Sequence, residues 1–441
     1  MNVFLKGTLV LVLTAFLGEC IEFVVNMVLA QELGEAGLGI YMSIIPVVFL
    51  FVIVASLELP ISISKYIAEK DETFHKNMLE HVFRFAIKTT IVILIVSLGI
   101  FLFTPFLHEY HLGIRWLFLL LIPIVSFSSI FRGYFMGKHN MAKIAVSNFL
   151  RKVLQLLLLV MVYTIFSFDT ETSIFIALCT LIGSEAVVFL YLLHGYVLDK
   201  DRRKNIQHQR ISKRNVNKAL LSVSVPTTVL RIFHALTHAI QPFLIKAALL
   251  NSGMELTTAN EHFGLLAGVA ITIGFFPAFI AHSLLIVLIP QVSERASNKD
   301  WAGLLSLLKQ VIVITVAYGV PAVAIFYLFG DRLTAMFTDS SFASFYLKLL
   351  WPYFLFHFFV MPLQAFLIGL GLIKDALLHQ IWSSVLSFAL IYFLGSHPSF
   401  GMDGVIIGLN LGAVLITLLH FSTVFRELGI RPGTIRDVRH S

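Results

Sequence analysis

A chain of 441 residues that is 58% hydrophobic and only 13% charged falls well short of the roughly 25% charge of a soluble domain. With a mean hydropathy of +0.89 it cannot cover a water-facing surface, which excludes soluble enzymes and large extramembrane domains. The formal net charge of +7 would suit nucleic acid in a soluble protein, but its placement along the chain makes it a topological signal, and no nucleic-acid partner is expected.

At about 20 apolar residues per crossing, spans are predicted at 7–30, 38–59, 85–103, 112–131, 144–166 and 172–194, and then at 219–249, 263–289, 304–329, 343–369, 375–395 and 402–424. The fold class is therefore all-α: a polytopic membrane protein of twelve transmembrane helices. The segment 198–218, with Lys200, Arg202, Arg203, Lys204, Arg210, Lys213, Arg214 and Lys218, reads as a basic cytoplasmic linker. It separates an N-terminal six-helix lobe (1–197) from a C-terminal one (219–441) that ends in a short basic tail. The first span is not read as a signal peptide: its apolar run is too long and contains Glu19 and Glu22.

Cytoplasmic loops carry the excess of Lys and Arg. Placing both termini inside puts most of the 32 basic residues on the cytoplasmic face, among them Lys65, Arg132, Lys138, Arg295, Lys374 and Arg426. The outer connections 31–37, 168–172 and 251–260 then contain no Lys or Arg. The expected location is the cytoplasmic membrane. Cys20 and Cys179 fall in apolar stretches, so neither a disulfide framework nor a cysteine metal site is expected.

The halves repeat. LELPISISKYIAEKD (57–71) has Pro60 and Lys65 in the same relation as Pro290 and Arg295 in VLIPQVSERASNKD (287–300), and FLFTPFL (101–107) is echoed by YLFGDRL (327–333). Six crossings per half give both lobes one orientation, so the expected pseudo-twofold axis runs along the membrane normal with a cleft between the lobes.

Three stretches then carry a family resemblance: ELGEAGLGIY after the first span, ASLELPISISKYIAEKDE at the end of the second, and FRGYFMGKHNMAKIAVSNFLRKVLQ after the fourth. Together they resemble the polysaccharide and lipid-linked oligosaccharide exporters of the multidrug/oligosaccharidyl-lipid/polysaccharide superfamily, within it the stage V sporulation protein B type. The resemblance implies a MATE-like fold and a flippase for a polyprenyl-linked saccharide, acting as a monomer in spore or cell-envelope synthesis. Two departures stand out. Members of this branch usually have fourteen helices, and they tend to place arginines in the first helix, where this chain reads GECIEFVVN.

Charges within spans are costly and usually face a bundle interior or a wet cavity. Glu19, Glu22 and Asn26 share one face of the first helix by their three-and-four spacing, and Arg231, His234 and His238 do so in the seventh. One reading makes these six residues the lining of a substrate cavity, the basic stripe attracting a pyrophosphate-linked sugar and a glutamate pairing with it when the site is empty. Two glutamates so close oppose joint ionisation, which suits coupling to a proton gradient; a sodium gradient is the other candidate. The competing reading is a static interlobe ion pair. Arg151 and Lys152 either snorkel to the cytoplasmic interface or contact an entering phosphate there. Glu58 reads as interfacial, and Glu185, His282, His357, Gln364, His379 and Asn410 as interhelical hydrogen bonds. With no phosphate-binding glycine loop, HExxH pattern or catalytic triad, no cofactor, metal or enzymatic activity is expected. A cation-coupled multidrug exporter is the alternative transport function, and a membrane polysaccharide polymerase or ligase the weaker enzymatic one.

Overall fold

The computed structural model describes residues 3–104, 110–138, 140–201 and 212–429, and, within these, the side chains of most residues from 16 onward, those at 200–201, 213–215, 217–219, 222–223, 226–227, 230 and 286 excepted. Much of the basic linker and all of the C-terminal tail beyond residue 429 lie outside the described residues. The elements are α1 (Val3–Ser56), α2 (Leu59–Glu69), α3 (Glu72–Phe103), α4 (Leu112–Gly137), α5 (Met141–Ile165), α6 (Thr170–Asp201), α7 (Lys213–Asn251), α8 (Leu256–Gly264), α9 (Ile271–Phe275), α10 (Ala278–Ser297), α11 (Trp301–Thr334), α12 (Ser341–Leu349), α13 (Trp351–Gly369), α14 (Ile373–Gly395) and α15 (Met402–Glu427). Among the described residues there is no strand. Helices satisfy their own backbone groups, which hydrocarbon demands of a spanning segment.

Among the described residues, eleven helices are long and apolar enough to cross a membrane. α1 accounts for two predicted spans, because the expected hydrophilic connection at 31–37 is helical apart from one residue: Gly34 adopts φ 65°, ψ 176°, a conformation essentially reserved for glycine. The chain is thus a multi-pass membrane protein with the twelve predicted crossings. The predicted span 263–289 is more broken than hydropathy suggests, running through α8, a π-helical stretch Leu265–Ala270, α9 and α10.

The repeated motifs fold differently. In the first half the chain breaks at Leu57–Glu58, both left-handed (φ 45° and 49°), and Pro60 opens α2. In the second half the equivalent Pro290 sits inside α10, and the break falls earlier, at Phe276–Pro277.

The chain packs into two compact units, one of Met1–Gln31 with Gln241–Ser441, the other Glu32–Ile240. Packing thus groups the leading stretch of α1 with α8–α15, and the leading stretch of α7 with α2–α6. In the first unit, α1 is held by Phe16 against Phe279 (ring centroids 5.2 Å) and Phe23 against Phe337 (4.9 Å), and by Gln31 Nε2 donating to the Met336 carbonyl (3.0 Å). Its α14 and α15 are closely packed antiparallel helices. Gly404, Gly408 and Gly412 form a small-residue stripe on α15, and a methyl at Gly408 would stand 2.8 Å from the Ile391 nitrogen. Such stripes let helix backbones approach in a membrane, where apolar side chains gain nothing by leaving lipid.

In the second unit, α4 packs on α2 by the same device. A methyl at Gly133 would lie 3.0 Å from the Pro60 backbone, and one at Gly137 2.8 Å from the Ser64 carbonyl. Most of the RGYFMG sequence is thereby accounted for. The two glycines make the contact, Tyr134 donates to Asp199 Oδ2 (2.5 Å), Phe135 is buried beneath the Lys143 ammonium, and Arg132 points elsewhere. α3 shows the lipid-facing pattern: Met78, Val82 and Ala86 are buried, while Ile91, Val92, Ile95 and Phe103 are exposed.

Candidate substrate cavity

The second unit contains a cavity of about 490 Å³. One stripe of α4 forms a wall: Leu121, Val125, Ser128, Ser129, Arg132 and Met136 recur every three or four residues along one helical face. The stretch of α1 after Gly34 adds Val48, Val52 and Ser56; α5 adds Asn148 and Arg151, α6 Leu181 and Glu185, and α7 Arg231. Glu58 and Pro60 close the cavity at the break between α1 and α2.

The charged groups are organised around two carboxylates. Arg132 donates through Nη2 to Glu185 Oε1 (2.9 Å) and through Nη1 to Asn148 Oδ1 (2.8 Å), with Nε near Ser128 Oγ (3.4 Å). Arg151 faces the other oxygen of Glu185 at 3.8 Å, an ion pair beyond hydrogen-bond length. The second carboxylate, Glu58, keeps only 4% of its side-chain surface exposed and receives Arg231 Nη1 at 2.8 Å, while Arg231 is 57% exposed. Three guanidiniums against two carboxylates leave one formal positive charge in excess. Arg151 and the exposed flank of Arg231 are the groups least committed to protein partners, so the cavity is suited to an anion and to hydrogen-bond acceptors such as phosphate or sugar oxygens.

The break that carries Glu58 is strained, since left-handed φ at two successive non-glycine residues costs free energy that the surroundings must supply. Ser126 Oγ donates to the Ala55 carbonyl (2.9 Å), Ser224 Oγ donates to the Leu57 carbonyl, and Leu59 is fully buried. α4 and α7 therefore hold the turn as well as line the cavity.

Of the residues singled out from sequence, the structure brings Arg151 and Arg231 into this cavity. Lys152, His234 and His238 are not among its lining. Glu19, Glu22 and Asn26 lie half-buried on the first stretch of α1, in the other unit. Arg231 forms an ion pair with Glu58. Glu58, read as interfacial, is buried; Arg132, read as part of a cytoplasmic connection, lies inside α4; and Glu185 holds two arginines at once. The α4 stripe of serines leading to Arg132 was the signal available for them in the sequence.

Comparison with known proteins places the geometry in context. The family model described as "Polysaccharide biosynthesis protein" matches residues 4–295. Sporulation protein YkvU of Bacillus subtilis (strain 168) is 48% identical over 431 residues, 98% of this chain and 97% of that one. Stage V sporulation protein B of the same organism is 32% identical over 438 residues, 97% of this chain and 84% of that one. A solved structure, the inward-facing conformation of a multidrug resistance MATE family transporter of the MOP superfamily, superposes with a TM-score of 0.74 at 18% identity, covering 93% of this chain and 94% of that one. This last likeness is one of fold.

Proposed function

The chain belongs to the polysaccharide biosynthesis protein family, and from that premise we propose that it carries a lipid-linked oligosaccharide or polysaccharide precursor across the cytoplasmic membrane by alternating access. Family and fold make it a transporter and not an enzyme. In this proposal the diphosphate of a polyprenyl-linked saccharide enters the cavity of Arg132, Arg151 and Arg231 from the cytoplasmic side, where both termini lie. The sugar meets Asn148, Ser128 and Ser129, and the lipid tail stays in the bilayer. The halves 1–197 and 219–441, joined by the basic 198–218 segment, rock to expose the substrate on the outer face, and the monomer is the working unit. Glu19, Glu22 and Asn26 of α1 and, separately, His234 and His238 of α7 are proposed as polar groups that the substrate meets during transit.

The observation that carries the reading is the excess of guanidinium over carboxylate in a cavity otherwise walled by serine, asparagine and apolar side chains. The same excess disfavours the multidrug reading, because a cationic drug would be repelled. Depletion of the protein in a cell without a redundant flippase provides the test, with lipid-linked sugar measured at the outer surface. Outer-surface sugar is expected to fall; unchanged exposure would sink the proposal.

A further inference from the structure

Two buried histidines lie outside the cavity just described. On the contact face of α14 and α15 the glycine stripe continues at helical spacing. Gly404 meets Leu394, Gly408 meets Ile391 and Gly412 meets Ser387, and Ser383 Oγ donates to the Gly412 carbonyl (2.7 Å). Further along the same seam the small residues give way to His379 on α14 and His420 on α15. Their Nδ1 atoms stand 3.0 Å apart with ring centroids at 5.1 Å, and the residues are 9% and 1% exposed. The backbone approach set by the glycines forces the two imidazoles together. Thr423 Oγ1 lies 3.3 Å from His379 Nε2.

The hydrogen-bond inventory of this trio fixes what it can bind. Two Nδ1 atoms at this distance share one hydrogen, so one ring donates and the other accepts. In one neutral arrangement His379 donates from Nδ1, and its Nε2 lone pair accepts from the Thr423 hydroxyl. A proton added to that lone pair makes His379 an imidazolium. The Thr423 hydroxyl rotates to accept the new Nε2–H, and the Nδ1–H to His420 becomes charge-assisted. No hydrogen bond is lost. A second proton, on His420 Nδ1, would set two N–H groups against each other, so the capacity is one.

The charged groups acting on the pair are Asp375, one turn before His379 on the same face of α14, and Arg426 near the end of α15. The helices packed around Ala376 and Val424, close to the pair, contribute apolar side chains there, Leu363 and Phe366 of α13, Leu308 of α11 and Val292 of α10 among them. Asp375 is partly exposed and offers the route from water to His379.

We propose that His379 and His420 form a one-proton binding site and that this proton is the coupling ion of transport, entering past Asp375. The coupling role rests on the transport function proposed above; the proton site does not. Full-length protein with ¹⁵N-labelled histidine, reconstituted in lipid nanodiscs and titrated between about pH 5 and pH 8, tests the site directly, with H379Q and H420Q assigning the signals. Uptake of one proton by the pair, with the internal N–H···N bond retained, is the expected result. D375N is expected to lower the pH of uptake, since it removes the nearby negative charge. Spin labels on α3 and α11 then report conformation. Their distance distribution should shift over the same pH range in the wild type and lose that shift in H379Q and H420Q. Rings that stay neutral throughout would overturn the site even if neither variant folds, and a pH-dependent shift that survives both variants would overturn the coupling role. Neither readout uses a saccharide, so failure of the substrate assignment would leave these results standing.

Discussion

Arg231 on α7 reaches Glu58 at 2.8 Å, joining a half-exposed guanidinium to a buried carboxylate at the left-handed break between α1 and α2. The two partners are unequal, and the consequence is measurable. Arg231→Ala leaves a buried carboxylate with no counter-charge on a turn that is already strained, and is expected to cost about 2–3 kcal/mol, approaching the penalty for a broken buried pair. Glu58→Gln leaves Arg231 in contact with solvent and is expected to cost less than about 1 kcal/mol. Unfolding of both variants in detergent measures the difference; equal costs would show that Glu58 does not depend on Arg231.

Glu185 holds Arg132 and Arg151 together. Glu185→Gln sets two guanidiniums facing each other without their counter-ion and is expected to destabilise by about 3 kcal/mol. Arg151→Ala leaves the short Arg132–Glu185 bond in place and is expected to cost little stability while lowering transport at least about tenfold. That factor corresponds to loss of one charge-assisted phosphate contact, about 1.4 kcal/mol. Thermal unfolding and transport measured on the same preparations separate the effects; parallel losses of stability and transport in Arg151→Ala would make it a structural residue.

The close helix contacts predict a contrast between glycines. Gly133→Ala and Gly408→Ala would each bring a methyl to 2.8 Å from a neighbouring helix, and overpacking of this kind costs about 1–3 kcal/mol. Gly99→Ala, on α3 with nothing within 4 Å of the added carbon, is expected to be neutral or stabilising by up to about 1 kcal/mol through helix propensity. Comparable midpoints for all three variants would argue against the two glycine-mediated contacts.

Most of the fold was legible because lipid enforces it. Apolar runs of spanning length had to become helices, and they did, although 263–289 and 343–369 do so in more than one piece. Less legible was where the helices break. Gly34 interrupts a continuous helix where a loop was expected, and the shared proline motif breaks the chain at Leu57–Glu58 but not at Pro290, since the break depends on Ser126 and Ser224 reaching its carbonyls from other helices. The site was legible only in part for the same reason. Spacing identifies which residues share a face of one helix, as for Arg231 with its histidines, but not which residue on another helix they meet. Glu58 and Glu185 acquire their roles from Arg231, Arg132 and Arg151, and His379 from His420, 41 positions along the chain.

Asp169 precedes α6 and accepts from the Thr172 hydroxyl (2.7 Å) and from its backbone N–H (3.2 Å). The hydroxyl bond, followed by the backbone one, holds the Asp169 carboxyl below its ordinary range. The stabilisation of the helix start is therefore present above the ordinary carboxylate pKa and is lost as pH falls through the depressed value. Amide exchange at Thr172, corrected for its intrinsic pH dependence, is expected to lose protection in acid, and Asp169→Ala should abolish that dependence. Unchanged protection in the variant would remove the cap from the account.

The central claim is that the three-arginine cavity serves the passage of an anionic, lipid-linked saccharide. Its most direct measurement is translocation of a fluorescent polyprenyl-diphosphate sugar in vesicles containing the purified chain, read by a membrane-impermeant quencher. Wild-type protein should render the inner-leaflet pool accessible, and Arg151→Ala should do so at least about tenfold more slowly. Wild-type vesicles no faster than protein-free ones, or an Arg151→Ala variant as fast as wild type, would contradict it.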